Sequence, residues 1–104
     1  MNKKFTRNKV VVITGGAKKI GRSTALKLAE QGFNILIHTG GKSINDAKET
    51  IKLIKKFEVK AGHVQGDLAN IKTIKKIKIA AEQLGVPSIL INNAGLRIHD
   101  NFER

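Results

Sequence analysis

The stretch Thr14-Gly15-Gly16-Ala17-Lys18-Lys19-Ile20-Gly21 lies between an unbroken apolar run, Val10–Ile13, and a helical pattern that continues to Gln31. Gly15 and Gly16 permit positive φ and leave backbone N–H groups free of a screening Cβ. Gly21 falls in the first turn of the helix, where a missing side chain lets helix and strand approach. The unpaired N–H groups and positive dipole end of that helix make the turn an anion site, suited above all to a pyrophosphate. The strict G-x-G-x-x-G spacing is not met, so the same residues also suit a tight strand-to-helix turn that holds no ligand. Lys18 and Lys19 stand where such a loop usually carries small residues.

A second stretch, Ile37-His38-Thr39-Gly40-Gly41-Lys42-Ser43, ends the next apolar run without any acid. Dinucleotide sites specific for NAD place Asp or Glu about 20 residues past the glycine turn to bind the ribose hydroxyls. Here Lys42 and the Ser43 hydroxyl would instead attract a 2′-phosphate, and no carboxylate is expected near the ribose. Gly41-Lys42-Ser43 looks like the end of a Walker A loop, but the position that needs the first glycine is Leu36. His38, His63 and His99 lack ligand spacing, so no metal site is expected.

Positioning these residues takes a strand before each turn and a helix after it. Val10–Ile13, Ile35–Ile37, Val59–Val64 and Ile89–Ile91 read as strands, the first three alternating with helices. The first helix has apolar positions at Ile20, Ala25, Leu28 and Ala29 and stops at Gly32. The second is capped by Ser43, with Ile44, Ala47, Ile51 and Ile54 on one side. The third is capped by Asn70, carries Ile71, Ile74, Ile77, Ala81 and Leu84 inward, and ends at Gly85 and Pro87. The order β-α-β-α-β-α-β predicts an α/β fold: an incomplete doubly wound, Rossmann-type parallel sheet of about four strands and three helices.

The chain has 104 residues, 40% of them hydrophobic, with no Cys, Trp or Tyr. Without cysteine there is no disulfide framework, and the apolar runs are too short for a signal peptide or a membrane span. A cytoplasmic protein is expected. The net charge of +12 raises a nucleic-acid partner. However, Lys48, Lys52 and Lys55 share one helical face opposite an apolar stripe, and no aromatic residues interleave to stack bases. A basic nucleic-acid-binding module remains the alternative of another class.

Three motifs carry a family resemblance. Thr14 to Gly21 resembles the T-G-x-x-x-[AG]-x-G turn of the short-chain dehydrogenase/reductase family. Gln65-Gly66-Asp67-Leu68 is similar to its Asp-Leu adenine-binding segment, and Asn92-Asn93-Ala94-Gly95 to its N-N-A-G motif. The resemblance implies an oxidoreductase fold that takes a nicotinamide dinucleotide. Gly15, Gly16, Lys18, Lys19, Ile20 and Gly21 would hold the phosphates, and Lys42 and Ser43 the 2′-phosphate. Asp67 and Leu68 would meet the adenine, with Asn92, Asn93, Ala94 and Gly95 on the ribose side. Lys19 departs from the family's Ala/Gly. A similar basic pair occurs in the pteridine-reductase branch, the nearest resemblance. Lys18 stands where NADP-preferring members often carry Arg, so NADP is expected over NAD.

The family's proton donor is a Tyr in Y-x-x-x-K, whose Lys lowers the phenol pKa from about 10. This chain has no Tyr. Residues 1–104 are therefore expected to be the N-terminal part of one NAD(P)-binding Rossmann domain, without the catalytic C-terminal half and with no catalytic residue of their own. The expectation is a truncated or split product that is inactive alone, or a half-enzyme complemented by a second chain. Its fourth strand would then be an exposed, apolar edge that invites self-association.

Overall fold

The computed structural model describes residues 3–93. Seven elements alternate along them: β1 (Lys9–Thr14), α1 (Ile20–Glu30), β2 (Asn34–Thr39), α2 (Ile44–Lys55), β3 (Ala61–Gln65), α3 (Ile71–Leu84) and β4 (Val86–Asn92). The strands form one parallel sheet in the order β3-β2-β1-β4. The chain thus winds outward from β1 through β2 to β3, then crosses back to place β4 on the other side of β1.

β1 and β2 are buried on both faces, which is why their sequences run apolar without alternation. Val11, Ile13, Ile35 and Ile37 pack with Ala25, Ala29 and Ile54 beneath α1 and α2. On the opposite face Val10, Val12, Leu36 and Val64 pack with Ala81 of α3. The expected fold class is the observed one.

The helix faces differ from expectation at their starts. Ile71 and Ile74, expected inward, are 63% and 44% exposed, and Ile20 and Ile44, at the starts of the other two apolar stripes, are 67% and 46% exposed. Each helix begins beyond the carboxyl ends of the strands, so its first residues overhang the sheet they were expected to meet. Two inward positions go instead to threonines, Thr50 on α2 and Thr73 on α3. Asn70 caps α3 as expected, its Oδ1 accepting from Lys72 N–H at 2.9 Å. Ser43 flanks α2, but its side chain makes no capping hydrogen bond.

Two strands also begin elsewhere than read. β3 starts at Ala61 rather than Val59, because the turn after α2 runs on to Glu58, which adopts φ 63° before the chain can pair. β4 starts at Val86 and contains Pro87, so this proline lies inside the strand rather than serving as the helix stop its type predicts. Gly85, at φ 150°, turns the chain straight from α3 into the strand, where any Cβ would overlap the carbonyl of Asn8. Proline is tolerated there because the β1–β4 register slips between Val10 and Val11, at a bulge.

Candidate functional site

In open parallel sheets a ligand crevice forms at the carboxyl ends of the strands, where the strand order reverses. Here that place is the β1–β4 junction, and the glycine turn sits on it. Gly15 adopts φ 65°. Its N–H donates to the His38 carbonyl at 2.8 Å, and the Gly16 N–H to the same oxygen at 3.4 Å. These two amides were expected to face a ligand; they tie the turn to β2 instead. The donors left for an anion belong to the start of α1. Ile20, Gly21 and Arg22 precede the first helical bond, from Ser23 N–H to Lys19 O, and have no partner within the helix.

Gly21 behaves as expected. A Cβ there would overlap the Gly15 carbonyl and come within 2.7 Å of Gly16 Cα, so helix and turn touch only because the side chain is absent. Lys19 shows why the family pattern has a small residue at its position. It precedes α1 with φ 55° and ψ −128°, a backbone region that costs a β-carbon-bearing residue strain.

The turn is braced from α2. Arg22 Nε donates to Thr50 Oγ1 at 2.8 Å and to Ala17 O at 3.2 Å, and Arg22 Nη2 to Asp46 O at 3.2 Å. The buried Thr50 hydroxyl donates to Ala17 O at 2.6 Å. Asp46 faces Lys18 Nζ at 3.8 Å and Arg22 Nη2 at 4.0 Å. Thus a carboxylate stands by the turn, one that the sequence reading did not single out. Its signal was hidden because an acid three residues after Ser43 reads as helix capping. Arg22 and Thr50 read simply as helix residues.

Two hollows flank the junction. On the α1–α2 side a small cleft of about 130 Å³ is lined by Gly15, Ala17, Lys18, Thr39, Gly40 and Ser43. It brings together Lys18 and Ser43 and adds Thr39 and Gly40. Lys42 is exposed on the same loop but does not line the cleft, and neither does Lys19. On the α3 side an apolar hollow of about 270 Å³ includes Leu68, Thr14, Leu90 and Asn92. Asp67 is exposed and occupied locally, its carboxylate accepting from Ala69 N–H at 2.9 Å.

The N-N pair closes the junction. Thr14 Oγ1 donates to Asn92 Oδ1 at 2.9 Å, and Asn93 Nδ2 donates to Gly15 O at 3.0 Å. Ala94 and Gly95 lie outside the described residues. The β2 end is fastened to β3 by two histidines. His38 Nε2 and Gly66 O are 2.8 Å apart, and Thr39 Oγ1 and His63 Nε2 are 2.7 Å apart. Burial, and then the neighbouring His38, lower the pKa of His63 below 6.5. Among the described residues no cluster of His, Asp and Glu is arranged to hold a metal, and no helix is long and apolar enough to cross a membrane.

A parallel α/β sheet with a glycine turn at its reversal point defines a dinucleotide-fold protein of the Rossmann class. The short chain dehydrogenase family matches residues 9–104, and the chain belongs to that family. Its sequence is 37% identical over 90 residues to the 3-oxoacyl-acyl-carrier-protein reductase FabG of Staphylococcus epidermidis, covering 86% of this chain and 36% of that protein. Its structure resembles a dehydrogenase from Burkholderia cenocepacia with bound NADP. The TM-score is 0.76 and the identity 33%, over 84% of this chain and 34% of that one. It also resembles carveol dehydrogenase from Mycobacterium avium in complex with NAD, with a TM-score of 0.77 and 29% identity, over 86% and 36% of the two chains. The chain thus spans little more than a third of the length of these relatives.

Proposed function

We propose that residues 1–104 form the N-terminal, cofactor-binding part of a cytoplasmic short-chain reductase that prefers NADP over NAD, with pteridine reductases as its nearest branch. The observation that carries this reading is the cleft between the glycine turn and the β2–α2 loop, whose single charged lining residue is Lys18. The surroundings suit a dinucleotide. Gly21 lets the start of α1 lie against the glycine turn, and a Cβ on Gly40 or Gly41 would meet only open space, so the loop leaves room for a ribose phosphate.

In this reading Gly15 and Gly16 shape the turn, while Lys18, Lys19 and the amides of Ile20 and Gly21 hold the phosphates. Ser43 and the exposed Lys42 take the 2′-phosphate, Asp67 and Leu68 flank the adenine, and Asn92 to Gly95 border the ribose. A bound nicotinamide supplies the hydride. Proton donation belongs to a segment that supplies Tyr, in a C-terminal part or in a second, complementing chain, because this sequence has none. The dehydrogenase with bound NADP supports the preference, and the carveol dehydrogenase complexed with NAD makes it a question for direct measurement.

Fluorescence titration of the 104-residue chain with NADPH and NADH at matched ionic strength is the test. Charge-assisted contacts to phosphate predict tighter NADPH binding by on the order of 10- to 100-fold, equivalent to about 1.4–2.8 kcal/mol. Equal affinities, or a ratio unmoved by both Lys18→Ala and Lys42→Asp, would refute the preference. The same protein should show no NADPH oxidation with carbonyl or dihydropterin substrates above a mock purification.

A further inference from the structure

Asp46 stands beside the one charged residue that lines the cleft. It lies in the first turn of α2, with Oδ2 3.8 Å from Lys18 Nζ and Oδ1 4.0 Å from Arg22 Nη2. Its two cationic neighbours are held very differently. Arg22 is fixed by bonds to Thr50 Oγ1, Ala17 O and Asp46 O, and its side chain is 28% exposed. The Lys18 side chain is 58% exposed, and its ammonium is free to exchange one anionic partner for another.

We propose that Asp46 is a specificity-determining residue, a built-in competitor that shares Lys18 with an incoming ribose phosphate and so limits the preference for a phosphorylated cofactor. The inference rests on the nucleotide-binding reading above. Before binding, Lys18 leans on Asp46. A dianionic phosphate in the cleft draws Lys18 away and meets the repulsion of the carboxylate, which keeps Arg22 as its counter-ion. A ribose that carries only hydroxyls suffers no such repulsion. Asp46 therefore weakens one cofactor and spares the other, which narrows the ratio between them.

The charges are partly exposed, so screening keeps the effect modest. Asp46→Asn removes the charge and leaves the main-chain carbonyl that Arg22 uses. NADPH and NADH are titrated against the whole chain as wild type, Asp46→Asn, Lys18→Ala and the double variant, at low and high salt. Circular dichroism checks each fold, and Asp46→Ser, which keeps a first-turn acceptor, replaces Asp46→Asn should that variant unfold. The expected result is roughly 3- to 10-fold tighter NADPH binding by Asp46→Asn, with NADH changed by less than about twofold. The gain should shrink at high salt and shrink again when Lys18 is also replaced, leaving only the part due to direct repulsion of the phosphate by the carboxylate. An unchanged ratio, or equal tightening of both cofactors, overturns the role of Asp46 while leaving nucleotide binding intact. If no variant binds either cofactor, the nucleotide-binding reading falls, and this inference falls with it.

Discussion

Lys19 carries the sharpest tension between a residue and its place. Its φ of 55° with ψ −128° is a conformation for glycine, and strain of this kind costs about 1–3 kcal/mol. Glycine gives back roughly 0.5–1 kcal/mol of that through the unfolded chain. Lys19→Gly should therefore stabilise the protein by about 1 kcal/mol, read as a raised denaturant midpoint with an unchanged slope. A lowered midpoint would mean that the lysine side chain makes up for the strain. His63 sets a pH dependence of known sign. Its pKa in the folded protein lies below the unfolded value of 6.5, because burial and His38 disfavour the cation. The folded state therefore binds fewer protons here. The stability due to this group is present above pH 6.5 and is lost as pH falls through the lower, folded-state pKa. Urea melts between pH 8 and 5 should show declining stability, and His63→Gln should flatten that decline. A parallel decline in the variant would place the effect elsewhere.

At the scale of elements, the fold is fastened where strand and helix ends meet. Asn34, buried at the start of β2, donates from Nδ2 to Leu84 O at 2.7 Å and accepts at Oδ1 from Lys60 N–H at 2.9 Å. One side chain thus ties the end of α3 and the entry to β3 onto β2. Asn34→Ala leaves both backbone groups without this partner and should cost about 1–3 kcal/mol, measured by denaturant titration. A loss below about 0.5 kcal/mol would show that water replaces the side chain easily. The sequence did not announce this role, since an Asn before an apolar run reads as a loop residue. The Asn70 cap was legible, because a cap depends only on residues two or three positions away.

The whole molecule is uneven in its protection. Among the described residues β4 pairs with β1 along one edge, while Val86, Ile89 and Leu90 are 57%, 40% and 68% exposed. Beside them Val12, Ile77, Ala81 and Pro87 floor an apolar groove between α3 and β4. Such surface on an open edge favours pairing with another copy. The isolated 104-residue chain should therefore self-associate at micromolar concentration despite its charge of +12, and Leu90→Lys should reduce this in light scattering. A monodisperse wild-type monomer with a cooperative thermal transition would contradict the expectation.

What the sequence determined by itself was local or periodic. The buried strands show as unbroken runs, the helices as stripes, and the glycine turn and the N-N pair as short motifs whose spacing is set by the backbone. Only the tertiary structure decided which polar groups meet. Gly15 and Gly16 bond to His38 because β2 lies alongside β1, a pairing across 20 and more residues. Arg22 and Thr50 brace the turn, and Asp46 reaches Lys18, only because α1 and α2 pack on the same face of the sheet. A carboxylate seven residues past the end of β2 has no spacing that marks it as part of a phosphate site. Its charge acts through space, and the distance that counts was fixed by the packing of two helices.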